Sequence, residues 1–286
     1  MIKYNYINHF IRYKALDINF SYGYYNEQGE LFQVSADLNV SKNYYKKLKE
    51  ILKIKKTKYY PLVRVGQNGC DGDYIMLGNF DGDSKIVYSF GINDDVNWDN
   101  TLANIGYNIF MYDHTIENLP FNRDEFHFFK EGISGIDEEN HPLKTLKYYI
   151  EQNGHKNTKN MILKMDVEGA EWDFLETVDS KTLRQFNQII IEYHNILKAG
   201  LGDKILKLLA KLNKTHQLIH LHGNNSGYII RIGDKVFPDV IEATYVIKDR
   251  YTFEEDPEHF LPIDIDVPSD SCRPDVILGK WNYPMV

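Results

Sequence analysis

Met161-Ile-Leu-Lys-Met-Asp-Val-Glu-Gly-Ala-Glu171 reads as a short buried strand that breaks into a loop and then a helix. The apolar run Met161 to Met165 is too short for a helix, and the acids and glycine after it punctuate a strand-to-helix turn. In open α/β sheets, ligands bind in the crevice beyond the carboxyl ends of parallel strands. Asp166, Glu168 and Glu171 are therefore expected to face whatever is bound there. Acids also stabilise a helix start without any ligand, and for Glu171 capping of the helix 170–178 is an equal explanation. Asp166, at the strand tip before a glycine turn, is a functional candidate.

Upstream, residue 85 begins an alternation of strands and helices. Ile86 to Phe90 is a strand, 91–95 a polar turn, Trp98 to Ile105 a helix capped by Asn97, and Tyr107 to Tyr112 a second strand ending at Asp113. This βαβ unit places an acid where nucleotide-binding folds hold a ribose, since a carboxylate there can accept from both hydroxyls. Gly91 lets the backbone pass close to a ligand, and the following helix start offers N–H groups to an anion. There is no G-x-G-x-x-G, which a dinucleotide pyrophosphate requires, so a nicotinamide cofactor is disfavoured.

Downstream, the pattern predicts strands at 125–131, 186–193, 217–222 and 242–248, with helices at 143–151 and 204–212. Residues 132–137 form a loop suited to lie along a flat ring. Glu192 and His194 share one face of the strand 186–193 by its two-residue period, and approach Asp166 if that strand neighbours 161–165. Residues 223–227 are a polar turn, 228–232 a short ladder, 237–239 a turn, and the proline-bearing tail from Tyr251 is expected to wrap the domain.

Residues 1–58 are expected to be a helical or irregular N-terminal extension, with an amphipathic helix over 41–53, and 59–286 the main domain. Lysines 46, 47, 49, 53, 55 and 56 read as its solvated face. The two Asp-Gly-Asp stretches, 71–73 and 81–83, are turn signals rather than calcium loops, because neither continues to a closing glutamate.

The 286 residues carry 43% hydrophobic and 26% charged side chains, a soluble globular balance, and the net charge of −8 argues against a nucleic-acid partner. Cys70 and Cys272 are too few for a disulfide framework or a zinc site. The N-terminus lacks the uninterrupted apolar core of a signal peptide, and no stretch is long enough to span a bilayer, so the expected location is cytoplasmic.

Several stretches taken together resemble the FkbM-type methyltransferases, on the branch that includes the methyltransferase-like 24 proteins. They are 88–95 with Trp98 and Asp99, then 111–115, 132–135, 163–172, 191–194 and 222–225, of which Lys-x-Asp-x-Glu-Gly-x-Glu is the specific one. The likeness runs over residues 60–270. It implies an α/β Rossmann-like class I methyltransferase fold: a seven-stranded, mostly parallel sheet with helices on both faces, plus the N-terminal extension. It implies an S-adenosylmethionine-dependent O-methyltransferase acting on a sugar hydroxyl, in capsule or surface-glycan synthesis.

Carried over by motif, Phe90, Gly91 and Asn93 would meet the methionine end of the cofactor, Asp113 the ribose, and Ile133 and Ser134 the adenine, with Asp166 beside them. Asn93 stands where many relatives have another glycine. Asp166, Glu192 and His194 would act as base or would hold a divalent ion, magnesium or manganese. Glu168, His222, Asn224 and Asn225 would contact the acceptor, a small-molecule or nucleotide-linked sugar. A homodimer is compatible with the sequence. The competing readings are a non-catalytic cofactor-fold binding module or partner subunit, and a nucleotide-sugar oxidoreductase.

Overall fold

The computed structural model describes residues 11–12, 20–25, 31–36, 42–67, 72–82, 84–137, 139, 141–198, 200–232 and 235–283. Cys70, Asp71 and Asp83 lie outside the described residues. The centre is a seven-stranded sheet built from β1 (Ile86–Phe90), β2 (Asn108–Tyr112), β3 (Phe126–Phe129), β4 (Met161–Met165), β5 (Phe186–Tyr193), β6 (His216–Gly223) and β7 (Ile241–Ile247). Its order is β6-β7-β5-β4-β1-β2-β3. All neighbours are parallel except β7, which runs antiparallel to both β5 and β6. The order reverses beside β1, so the crevice that such a reversal opens lies over the tips of β1 and β4.

β4 and β5 are buried along their whole length, so they do not alternate; their polar residues, Lys164 in β4 and Asn187, Gln188 and Glu192 in β5, are buried with the rest. One face of the sheet packs against α1 (Lys42–Ile51), α3 (Leu146–Gln152), α4 (Glu171–Thr177), α5 (Ser180–Leu183) and α6 (Gly202–Leu212). The other packs against α2 (Asn97–Asn104) and an antiparallel hairpin of Leu62–Val65 with Tyr74–Leu77. Gln188 on β5 pins that hairpin, accepting from Leu77 N–H (2.9 Å) and donating to Leu77 O (3.0 Å).

Helix α2 starts differently from the expectation. Asn97 is its first helical residue, the N-cap position falls on Val96, and Asn97 N–H donates to Asp95 Oδ1 at 2.7 Å. Within residues 1–58, expected to be helical or irregular, the described residues hold strands Ile11–Arg12, Phe20–Tyr25 and Leu31–Ala36 as well as α1. These strands join Ile229–Ile232 and Lys235–Pro238 in a separate five-stranded sheet, with Val34 paired to Ile229 in parallel. The 237–239 segment, expected as a turn, thus contributes partly to a strand. Among the described residues, no helix is long and apolar enough to cross a membrane.

Candidate active site

Gly91 ends β1 in the left-handed region, φ +75, and its amide donates to Tyr112 O at 3.1 Å. A Cβ at this position would stand 1.6 Å from the carbonyl oxygen of Asp166, so only glycine lets the tips of β1 and β4 meet. Asn93 is also left-handed, φ +49, a conformation asparagine tolerates better than most residues. The turn closes on Asp113. Its Oδ2 accepts from the amides of Ile92 and Asn93, both at 2.9 Å, and its Oδ1 from the amide (2.8 Å) and hydroxyl (2.6 Å) of Thr115. Burial alone would raise the Asp113 pKa, but these donors outweigh it and hold the carboxyl below its ordinary range.

Phe90 ends β1 beside Gly91. Its ring is fully buried and stacks on Tyr112 at 4.8 Å, so its side chain serves the core and only its backbone borders the crevice. Ile133 is buried as well, while Ser134 is partly exposed, its amide donating to Lys144 O at 2.9 Å and its hydroxyl accepting from Ile136 N–H at 3.3 Å.

The adjacency of β4 and β5 brings Asp166, Glu192 and His194 together, with one ligand-capable atom of each within 4.8 Å of the others. From the hairpin, the Tyr74 hydroxyl lies 3.1 Å from Asp166 Oδ2 and 3.3 Å from Glu192 Oε2, spanning both carboxylates. Asn224 donates to Glu192 Oε1 at 3.0 Å. Nε2 of His194 stands 3.5 Å from Glu168 Oε2, 3.6 Å from Glu192 Oε1 and 3.9 Å from Asp166 Oδ1. Burial works against a charge on His194; the hydrogen bond and charge of Glu171, then Asp166 and Glu168, outweigh it and raise its pKa. Glu168 itself is left-handed, φ +54, and its side chain is 88% exposed.

Beneath the crevice sits Lys164, a buried ammonium 3.9 Å from Asp166 Oδ2 that donates to Gly91 O and lies over the Tyr74 ring at 5.6 Å. It faces Asp99, whose pKa burial raises and Lys164 lowers in part. Lys164 is in the quoted stretch, and a charge inside an otherwise apolar strand was the available signal. Tyr74 had none, because the second strand of its hairpin is short and follows turn residues.

Residues 222–225 are buried. His222 is buried between Glu242 Oε2 (3.2 Å) and Asp275 Oδ1 (3.0 Å), and Glu242 also accepts from Ser269 Oγ. Asn225 is buried too, donating to the carbonyls of Asp270, Arg273 and Pro274 and accepting from Asp270 N–H. These side chains anchor the tail, and Asn224 supports Glu192. Of the four expected acceptor contacts, Glu168 borders a cavity. It measures about 300 Å³ and is also lined by Trp172, Asn195, Lys198 and Lys204.

The tail anchor has a pH signature. Burial opposes charge on His222, but Glu242, Asp275 and nearby Asp266 outweigh it and hold its pKa well above the ordinary value. A proton bound more tightly in the folded state adds stability that is full below the unfolded histidine value, about 6.5, and is lost as pH rises through the folded value. The unfolding free energy of the wild type, read from urea titrations, should fall as pH is raised above about 6.5, by at most about 1.4 kcal/mol per pH unit from this group. In His222→Gln that slope should flatten; an unchanged slope would dismiss the ion-pair anchor.

A family model for the FkbM methyltransferase domain matches residues 28–218, well over half of the chain. The chain belongs to the FkbM methyltransferase family. The match begins inside the N-terminal segment, upstream of residue 60 where the sequence likeness starts, and ends within β6. No curated protein and no solved structure matches the chain. As an FkbM methyltransferase it has the expected seven-stranded, mostly parallel Rossmann-like sheet, with Asp166 and Glu168 on the turn after β4 and Glu171 opening α4.

Proposed function

We propose that this FkbM protein transfers a methyl group from S-adenosylmethionine to a sugar hydroxyl. The observation that carries this reading is the cluster of Asp166, Glu192 and His194 at the tips of β4 and β5, beside the Gly91 turn. The donor set suits the cofactor: carboxylates at the strand tips complement its ammonium and sulfonium, and Asp113 stands at the tip of β2 for its ribose. Asp113 would exchange some of its four present donors for ribose hydroxyls. Gly91, Asn93, Ile133 and Ser134 would complete the cofactor site through backbone and hydroxyl groups.

When bound, the cofactor supplies an electrophilic methyl. The protein aligns the acceptor and takes or weakens its proton. Glu192 and Asp166, bridged by Tyr74, would orient the acceptor hydroxyl, and Glu192 or His194 would receive its proton. The cavity at Glu168 is the entrance we assign to the acceptor, with Asn195 offering the amide that polyhydroxyl ligands use.

A second reading has its own observation. Ligands at about 2.1 Å from a cation lie about 3.0–3.4 Å apart, and the separations of 3.5 and 3.6 Å around His194 Nε2 close to that with small side-chain shifts. Asp166, Glu192 and His194, joined by Glu168, would then hold magnesium or manganese and lower the hydroxyl pKa. A cytoplasmic glycan pathway with a free or nucleotide-linked sugar is the setting we infer.

Calorimetric titration of chelator-treated protein with S-adenosylhomocysteine tests the cofactor site. Binding should be seen in the wild type and lost in Asp113→Ala, with Thr115→Ala as a milder control. Added manganese should produce a second heat that Asp166→Ala removes if the metal reading holds. No binding under any condition would leave the non-catalytic module as the better account.

A further inference from the structure

We propose that Glu171 is the positioning residue of the site, fixing the His194 ring so that Nε2 faces Asp166, Glu168 and Glu192. The inference rests on His194 acting as base or ligand. Glu171 opens α4, where an acid has a ready explanation as a helix-stabilising charge. Its surroundings go beyond that. The side chain is wholly buried, and its Oε1 accepts from the amides of Val167 (2.9 Å) and Gly169 (3.3 Å), which belong to the turn before the helix. The same oxygen lies 3.1 Å from His194 Nδ1.

An ionised carboxylate only accepts, so the contact with His194 is a hydrogen bond only if Nδ1 carries the proton. That leaves Nε2 as the nitrogen that meets the three acids. The neighbouring Trp172 donates from Nε1 to His194 O at 2.7 Å and stacks on Tyr193 at 5.0 Å, so α4 grips both the backbone and the ring of this residue. Glu171 Oε2 is buried with no hydrogen-bond partner among the described residues. A carboxylate placed so is costly as a helix cap alone, and its position is explained by what Oε1 holds. The turn that carries Asp166 and Glu168 is tied to the same oxygen, so a single atom sets the relation between the turn and the ring.

The test is nitrogen-15 NMR of histidine-labelled protein, with His194 assigned by His194→Gln, on the wild type, Glu171→Gln and Glu171→Leu. The wild type should show a slowly exchanging proton on Nδ1. Glu171→Gln keeps an acceptor oxygen and should retain it, whereas Glu171→Leu should lose it and show a mobile ring. A wild-type His194 without a proton on Nδ1, or the same protected proton in Glu171→Leu, overturns the proposal. Should Glu171→Leu not fold, the wild-type proton position decides alone. In parallel, manganese affinity read by electron paramagnetic resonance should drop about 10–100-fold in Glu171→Leu and recover in part in Glu171→Gln. A wild type that binds no manganese removes the metal reading, while the NMR result still judges Glu171 by itself.

Discussion

Replacing Gly91 by alanine is expected to cost this protein more stability than any other single methyl group added to a turn. The new Cβ would lie 1.6 Å from Asp166 O and 2.7 Å from its carbonyl carbon. Neither partner can yield easily. Gly91 N–H is bonded to Tyr112 O, Asp166 N–H to Phe90 O at 3.1 Å, and Lys164 holds Gly91 O from below. Left-handed strain contributes about 1–3 kcal/mol and overpacking another 1–3, a large share of the roughly 5–15 kcal/mol that holds a domain together. Gly106→Ala is the internal control, since Gly106 has a similar φ of +89 with nothing within 4 Å of its Cβ position. Urea denaturation should show for Gly106→Ala only the loss due to left-handed strain, and for Gly91→Ala a clearly larger one, the difference being the clash with Asp166. Equal midpoints would mean that the β1 and β4 tips do not meet as described.

The second large effect is on chemistry. Asp166→Asn and Glu192→Gln are each expected to lower methyl transfer by about 10²–10⁴-fold, the range seen when a positioned acid–base group is removed. Both replace an acceptor by an amide that also donates, beneath a Tyr74 hydroxyl that bridges the two carboxylates. Because the groups share one hydrogen-bonded unit, the double variant should lose little beyond the worse single one. Rates would be measured on the acceptor found by screening, with circular dichroism confirming the fold. Losses below tenfold, or losses that multiply, would place the reacting hydroxyl elsewhere.

The strands of the central sheet were legible where burial on both faces made them short, mostly apolar runs bounded by turn residues. Met161–Met165, Ile86–Phe90 and Phe186–Tyr193 carry the boundaries that the residues suggest, each ended by glycine, an acid or histidine. The meeting of Asp166 with Glu192 and His194 followed from strand period plus adjacency. Strands Phe20–Tyr25 and Leu31–Ala36 were not legible. Their segment is rich in tyrosine and polar residues, and the partner Ile229–Ile232 is remote in the chain, beyond local patterning. The burial of His222 and Asn225 was not legible from the local pattern. Their partners come from a tail whose proline-broken pattern says nothing about where it docks. Tyr74 illustrates the same limit, since its role exists only once the hairpin crosses the sheet.

The tail also decides when the protein can be finished. Trp281 donates to Leu52 O across a sequence separation of 229 residues, and Asn282 clasps Ile54 through both its amide oxygen and nitrogen. Glu255 joins Lys53 and Lys55 on the same early segment. On a ribosome, helix α1 emerges long before any of these partners exist, at about 5–20 residues per second. Its apolar side therefore waits, uncovered, for the rest of the sheet and then for the tail, and closure of so long a loop comes late in folding. The interval in which this chain is most exposed to chaperones and proteases ends with the arrival of a tryptophan.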